Sequence, residues 1–128
     1  MKEPAGNRTM RIGITSQNFQ TITGHAGKTR RFIIYDAGEG TTPREIARLD
    51  LPKEMSLHDY RGDDHPIYDL HSLITASCGA GFAQRLASHG VRLITTSESD
   101  PLEAAAAVAN GRPLPPASPR EHAPGEGR

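Results

Sequence analysis

A strand–helix–strand pattern between residues 73 and 94 constrains the fold of this chain more than any other feature. The apolar runs at 73–76 and 91–94 are typical of two short strands. The segment between them has its apolar side chains on one helical face and a glycine stop at its end: Phe82, Ala83, Leu86, Ala87 and Gly90. Strands joined by a helical crossover are parallel. The pattern therefore predicts a β–α–β unit within an α/β fold.

Three further segments carry strand signals. Residues 10–14 alternate between apolar and polar side chains, which is the period of a strand. Residues 32–35 form a β-rich run that Asp36 and Gly38 are expected to end. The segment 42–51 is ambiguous, because it begins like a helix but also alternates, and the proline that follows it favours an extended backbone. Periodicity alone leaves both interpretations open.

A second helix is predicted at 101–109. Asp100 can cap it, Pro101 suits its first turn, and Glu103 completes a pattern that resembles a capping box. Leu102, Ala105, Ala106 and Ala109 would lie on one face. Outside the predicted domain at 10–110, residues 1–9 are expected to form a flexible leader. Residues 111–128, rich in proline and glycine, are expected to form a disordered tail.

Composition excludes several classes of function. The chain has 128 residues, enough for one domain with one core, and its 15 basic and 15 acidic residues give a net charge of zero. A balanced charge argues against bulk binding to nucleic acid or to an anionic membrane. The single cysteine, Cys78, cannot form an intrachain disulfide, and no apolar run is long enough to span a bilayer. We expect a cytoplasmic protein, with no signal peptide in the polar N-terminal segment.

Ligands of an open α/β sheet gather where parallel strands end. The segment 77–81 joins the predicted strand at 73–76 to its helix, and Gly79 and Gly81 allow a ligand to approach the backbone closely. Backbone amides at a helix start also favour an anion. The alternative is that these glycines only form a tight turn, and the spacing slightly favours it.

Two histidine-containing segments could hold a metal. His25 stands between small residues, where its imidazole suits a metal ligand or a general acid or base, or belongs to an ordinary surface turn. The segment 58–65 contains two histidines and three carboxylates, yet it lacks zinc-finger spacing and is more typical of a solvated polar loop. Cys78 is expected at a helix N-terminus that lowers its pKa, and it is either a cluster ligand or a small buried side chain.

An ordered series of segments resembles the dinitrogenase iron–molybdenum cofactor biosynthesis domain family, the NifX-like and NifB-C-terminal-like proteins. The resemblance covers residues 10–110 and rests on MRIGITSQNF (10–19), TITGHAGK (21–28), RFIIY (31–35), LPKEMS (51–56), HPI (65–67), LITAS (73–77), GF (81–82) and TTSESDP (95–101). It implies a ribonuclease-H-like α/β fold with a mixed sheet of about five strands flanked by helices. It also favours a strand in the ambiguous segment.

The resemblance implies that the chain binds an iron–sulfur or iron–molybdenum cluster or its precursor, as an accessory to metallocofactor assembly and not as an enzyme. Its strand-turn histidine matches His25, although Ala26 departs from the usual pattern, and its second histidine matches His65. We expect His25, His65 and Cys78 as metal ligands in that order. Gly24, Ser77, Gly79 and Gly81 are expected around the cluster. Assembly or acceptor proteins are the partners this implies.

Two alternatives stay open. The chain could be an interaction or regulatory module that keeps the fold without a cluster, and the scarcity of sulfur ligands favours that hypothesis. A nuclease ranks last, because that chemistry needs several carboxylates around divalent metals, and the predicted strands carry few inward-facing acids.

Overall fold

A mixed five-stranded sheet with one helix against each face forms the centre of the molecule. The structure is a computed structural model, and it describes residues 9–38, 42–57, 59–60, 62, 64–79 and 81–117. Its elements are β1 (Thr9–Thr15), β2 (Arg31–Gly38), β3 (Arg44–Asp50), β4 (Ser72–Thr75), α1 (Phe82–Ala87), β5 (Arg92–Thr95) and α2 (Pro101–Ala109). Two short 3₁₀ turns, Lys53–Met55 and Pro66–Asp69, lie between β3 and β4.

The strand order is β3-β2-β1-β4-β5. β1, β4 and β5 run parallel to one another, whereas β2 pairs antiparallel with both β1 and β3. The predicted β–α–β unit is confirmed as β4-α1-β5. The single α/β domain with about five strands is confirmed as well, and the ambiguous segment at 42–51 contains a strand.

Alternating side chains of the strands build two apolar layers. Phe32 and Ile34 of β2 point to the face that α1 covers, and Ile33 and Tyr35 point to the face that α2 covers. The inward side of α2 is almost entirely alanine, which lets the helix lie close to the sheet. Leu102, predicted to share a face with Ala105, Ala106 and Ala109, is 41% exposed, so the buried side of α2 does not include it.

The cap of α2 is confirmed in part. The Asp100 side chain accepts hydrogen bonds from the backbone N–H groups of Leu102 and Glu103, at 2.9 and 3.3 Å. The reciprocal bond predicted for Glu103 is absent among the described residues. The Glu98 carboxylate accepts the Asp100 N–H in its place, at 2.9 Å. Glu98, two residues before Asp100, therefore takes the role that was predicted for Glu103.

The sequence-based boundaries of two strands need correction. β2 continues through Asp36 to Gly38, because every residue from 31 to 38 has a partner on β1 or β3. β1 begins at Thr9, inside the predicted leader, and residues 1–8 lie outside the described part of the chain.

Residues 111–117, assigned to the predicted tail, lie against the end of β5. The Pro115 carbonyl accepts hydrogen bonds from the Thr96 hydroxyl at 2.6 Å and the Ser97 N–H at 3.3 Å, and Leu114 packs on the core. Residues 118–128 lie outside the described part. None of the helices in the described ranges is long and apolar enough to cross a bilayer.

Candidate functional site

The candidate site lies where the parallel strands end. The loop after β1 turns back over the end of β4, and three bonds fix it there. The Thr23 carbonyl accepts hydrogen bonds from the Ala76 N–H at 3.1 Å, the Thr75 hydroxyl at 3.2 Å and the Thr15 hydroxyl at 2.5 Å. Thr15 and Thr75 are fully buried, so this junction is rigid and shielded from water. It holds the next residues of the loop, beginning with Gly24, beside the segment that follows β4.

His25 projects from this junction in an unusual backbone conformation. Its φ is 57°, in the left-handed region that non-glycine residues seldom adopt. Its N–H donates to the Ser77 hydroxyl at 2.9 Å, and its carbonyl accepts from the Lys28 and Thr29 N–H groups at 2.9 and 3.1 Å. The His25 side chain is exposed, and its ring has no hydrogen-bond partner among the described residues. The backbone of His25 is therefore fixed, and both nitrogens of its imidazole are available.

Gly24 allows this arrangement, because a Cβ at this position would overlap the Ser77 hydroxyl. Gly24 and Ser77 therefore support His25 from behind. Both were predicted around the cluster, but the cavity described next is lined by neither of them.

A cavity of about 460 Å³ opens in front of His25. Its lining is His25, Gly27, Lys28, Leu57, Gly79, Gly81, Phe82 and Arg85. Gly81 has a φ of 90°, a conformation that suits glycine, and added Cβ atoms on Gly79 and Gly81 would meet open space. The two glycines therefore present bare backbone to the cavity. Buried Phe82 and Leu57 provide an apolar wall.

Two cations line the same cavity and were missed by the sequence analysis. The Arg85 guanidinium donates to the Leu57 carbonyl, the Tyr60 carbonyl at 2.6 Å and the Tyr68 hydroxyl at 3.1 Å. It is therefore fixed in place. Lys28 is exposed and forms no ion pair with a described residue. Two sequence positions could have indicated them: Lys28 stands three residues after His25, and Arg85 stands one helical turn after Gly81.

Cys78 is half-buried, packs against the apolar cluster under α1, and does not line the cavity. Burial raises the pKa of its thiol, because a thiolate loses solvation there. The position of Cys78 at a helix start predicted a lowered pKa, and that prediction was wrong. A neutral thiol is a poor metal ligand.

His65 lies apart from the cavity lining and is 1% exposed. Its Nε2 lies 2.6 Å from the Met55 carbonyl oxygen, and its Nδ1 accepts the Ile67 N–H at 3.2 Å. The ring also contacts those of Tyr60 and Tyr68, with centroids 5.1 and 5.8 Å away. Burial lowers the pKa of His65, which favours the neutral imidazole. Metal binding by His65 would require these bonds to break.

The predicted residues are thus brought together only in part. His25, Gly79 and Gly81 share one cavity, Gly24 and Ser77 stand behind it, and Cys78 and His65 are directed elsewhere. Within the described part of the chain, no group of three or more histidine, cysteine, aspartate or glutamate side chains is placed to hold a metal ion. Residues 58, 61 and 63 of the histidine-containing loop lie outside that part.

The fold and the site thus define a mixed-sheet α/β domain with a histidine and bare glycine backbone where its parallel strands end, which is where ligands of open α/β sheets bind. A family model described as dinitrogenase iron–molybdenum cofactor matches residues 8–111, most of the chain. The chain belongs to this family, which connects it with iron–molybdenum cofactor biosynthesis, the context of nitrogen fixation.

Solved structures that are similar to the chain include the following two. The crystal structure of PH0822 is 19% identical with a TM-score of 0.61, covering 80% of this chain and 93% of that one. This similarity supports the fold alone. The NMR structure of a NifB-type protein of the DUF35 family from Thermotoga (TM1290) is 18% identical with a TM-score of 0.49, covering 80% and 90%. No curated protein matches the chain significantly.

Proposed function

We propose that this protein binds an iron–sulfur or iron–molybdenum cluster, or a precursor of one, and passes it to another protein during metallocofactor assembly. The observation that carries the proposal is His25, whose unpartnered imidazole is held in a left-handed turn at the wall of the cavity. A backbone held in a rarely populated conformation is typical of functional sites. Family membership supplies the chemical class of the cargo.

The cavity suits an anionic cluster. Lys28 and Arg85 place two positive charges on its lining, and no carboxylate is among the lining residues in the described ranges. Low-dielectric walls from Phe82 and Leu57 strengthen the attraction between these charges and an anion. Bare backbone at Gly79 and Gly81 leaves room for a bulky ligand.

The small number of donors suits cargo rather than a resident cofactor. Among the described residues that line the cavity, His25 is the only strong metal ligand, and Cys78 is a neutral thiol outside it. A closed set of four protein ligands holds a metal permanently. A single imidazole with electrostatic support holds a cluster that has to leave. The donor set therefore fits a carrier, and we expect no catalysis by the chain itself.

Anaerobic titration with a preformed iron–sulfur cluster, followed by gel filtration, absorption spectroscopy and metal analysis, tests the proposal. We expect one cluster per chain, or one cluster shared by two chains, retained by the wild type. His25→Ala should retain much less of the cluster. His71→Ala is the matched control, because His71 is also exposed but lies at the opposite end of β4. It should bind as the wild type does.

If the wild type retains neither iron nor molybdenum from free metals or preformed clusters, the carrier hypothesis fails. The interaction or regulatory module then takes its place. Our proposal further includes assembly or acceptor proteins as partners, a cytoplasmic location and a ribonuclease-H-like arrangement of the sheet, which the strand order β3-β2-β1-β4-β5 supports. We propose no nucleic-acid or membrane partner.

A further inference from the structure

A second cavity lies beside the candidate site and has a different chemistry. Its volume is about 490 Å³, and its lining is Lys28, Arg30, Lys53, Ser56 and Asp59. Of the described residues, three cations thus face one carboxylate in a protein whose overall net charge is zero. Lys28 also lines the cavity in front of His25, so the two cavities are neighbours.

Sheet pairing brings these residues together from distant parts of the sequence. Arg31 at the start of β2 pairs with Asp50 at the end of β3, and the Leu51 N–H donates to the Arg30 carbonyl at 2.9 Å. The chain then forms the Lys53–Met55 turn, which the His65 ring holds through the Met55 carbonyl. The backbone beneath the cations is therefore fixed on both sides of the cavity.

The charged side chains of this cavity form no ion pair within the described part of the chain. Lys28, Arg30 and Lys53 are exposed and form no ion pair with any described residue. Ser56 forms no side-chain hydrogen bond with a residue that the structure describes, so its hydroxyl can donate to a ligand in the cavity.

We propose that this cavity binds a phosphate group, carried by a small molecule or present as the free ion. Lysine and arginine side chains form charge-assisted hydrogen bonds with phosphate oxygens, and Ser56 can donate one more. Asp59 at the same cavity can accept a hydrogen bond from a hydroxyl of the molecule that carries the phosphate. A volume of about 490 Å³ exceeds what a free ion fills and lies in the range of small-molecule sites.

Amide NMR spectra of the full-length, metal-free chain test this proposal independently of cluster binding. Inorganic phosphate and glycerol 3-phosphate are titrated separately, with ionic strength held constant by sodium chloride. We expect saturable shifts centred on residues 28–30 and 53–57. Tighter binding of glycerol 3-phosphate would identify a phosphorylated small molecule as the ligand, and equal binding would identify the free ion.

Variants locate the binding. Arg30→Gln and Lys53→Met should each weaken binding about tenfold, because each removes a charge-assisted hydrogen bond. Ser56→Ala should weaken it roughly threefold. Arg92→Gln, an exposed cation on β5, is the matched control and should bind as the wild type does. The amide spectra also show whether each variant is folded.

The proposal is overturned if neither phosphate compound saturates. It is equally overturned if Arg30→Gln and Ser56→Ala bind as tightly as the wild type, or if Arg92→Gln weakens binding as much as they do.

Discussion

Replacing His65 with alanine separates a structural role for this residue from a metal-binding one. The substitution removes the partner of the Ile67 N–H, which lies in a fully buried residue, and the partner of the Met55 carbonyl. Each buried polar group left unsatisfied costs about 1–3 kcal/mol. The ring also loses its contacts with two tyrosines, worth about 0.5–1.5 kcal/mol each.

Because these losses are not additive, we expect the free energy of unfolding of His65→Ala to fall by about 3–5 kcal/mol. That is a large part of the ~5–15 kcal/mol typical of a small domain. Urea denaturation followed by far-ultraviolet circular dichroism measures this change.

His65→Asn refines the test, because its side-chain oxygen can still accept the Ile67 N–H as an N-cap but cannot reach as far as the Met55 carbonyl. Its loss should lie between those of His65→Ala and the exposed control Gln84→Ala, which should change stability by less than about 0.5 kcal/mol. If His65→Ala unfolds within about 1 kcal/mol of the wild type, its hydrogen bonds do not stabilise the fold, and His65 returns as a candidate ligand.

Three further predictions concern stability. Burial lowers the pKa of His65 in the folded chain, so the unfolded chain takes up a proton at this residue first as the pH falls below about 6.5. The stability that neutral His65 contributes is therefore present above that pH and lost below it. The difference in urea stability between wild type and His65→Ala should shrink from about pH 7.5 to 5.5. A chain ending at residue 111 loses the hydrogen bonds to Pro115 and should be about 1–3 kcal/mol less stable than one ending at 117, whereas equal melting temperatures would show that this segment does not stabilise the domain. Gly24→Ala should cost about 1–2 kcal/mol by displacing the Ser77 hydroxyl, and the double variant Gly24→Ala/Ser77→Ala should recover part of that loss on thermal unfolding.

The sequence predicted those parts of the fold whose signals are local. The β–α–β unit and α2 were found because helix stops, caps and apolar faces lie within a few residues of one another. The end of β2 was wrong because Asp36 and Gly38 are poor strand formers by propensity, and pairing with β1 outweighs that preference. Residues 111–117 were assigned to the tail because no sequence pattern announces the bonds from Pro115 to the end of β5.

The site was predictable to the same extent. His25 and the two glycines follow from their positions after strands, since strand ends position loops. Arg85 could not be assigned to the cavity, because its orientation depends on three partners between residues 57 and 68. The structural role of His65 was equally hidden, since its partner Met55 belongs to a separate turn.

Nitrogen hyperfine coupling gives the most direct test of the central claim that His25 ligates the cargo. The wild type and His25→Ala, both labelled with ¹⁵N-histidine, are loaded anaerobically with an iron–sulfur cluster, reduced to a paramagnetic state and measured by pulsed electron paramagnetic resonance. We expect a directly bound histidine nitrogen in the wild type. In His25→Ala we expect either no retained cluster or no such coupling. A cluster retained by the wild type without histidine coupling, or with the same coupling in His25→Ala, would contradict it.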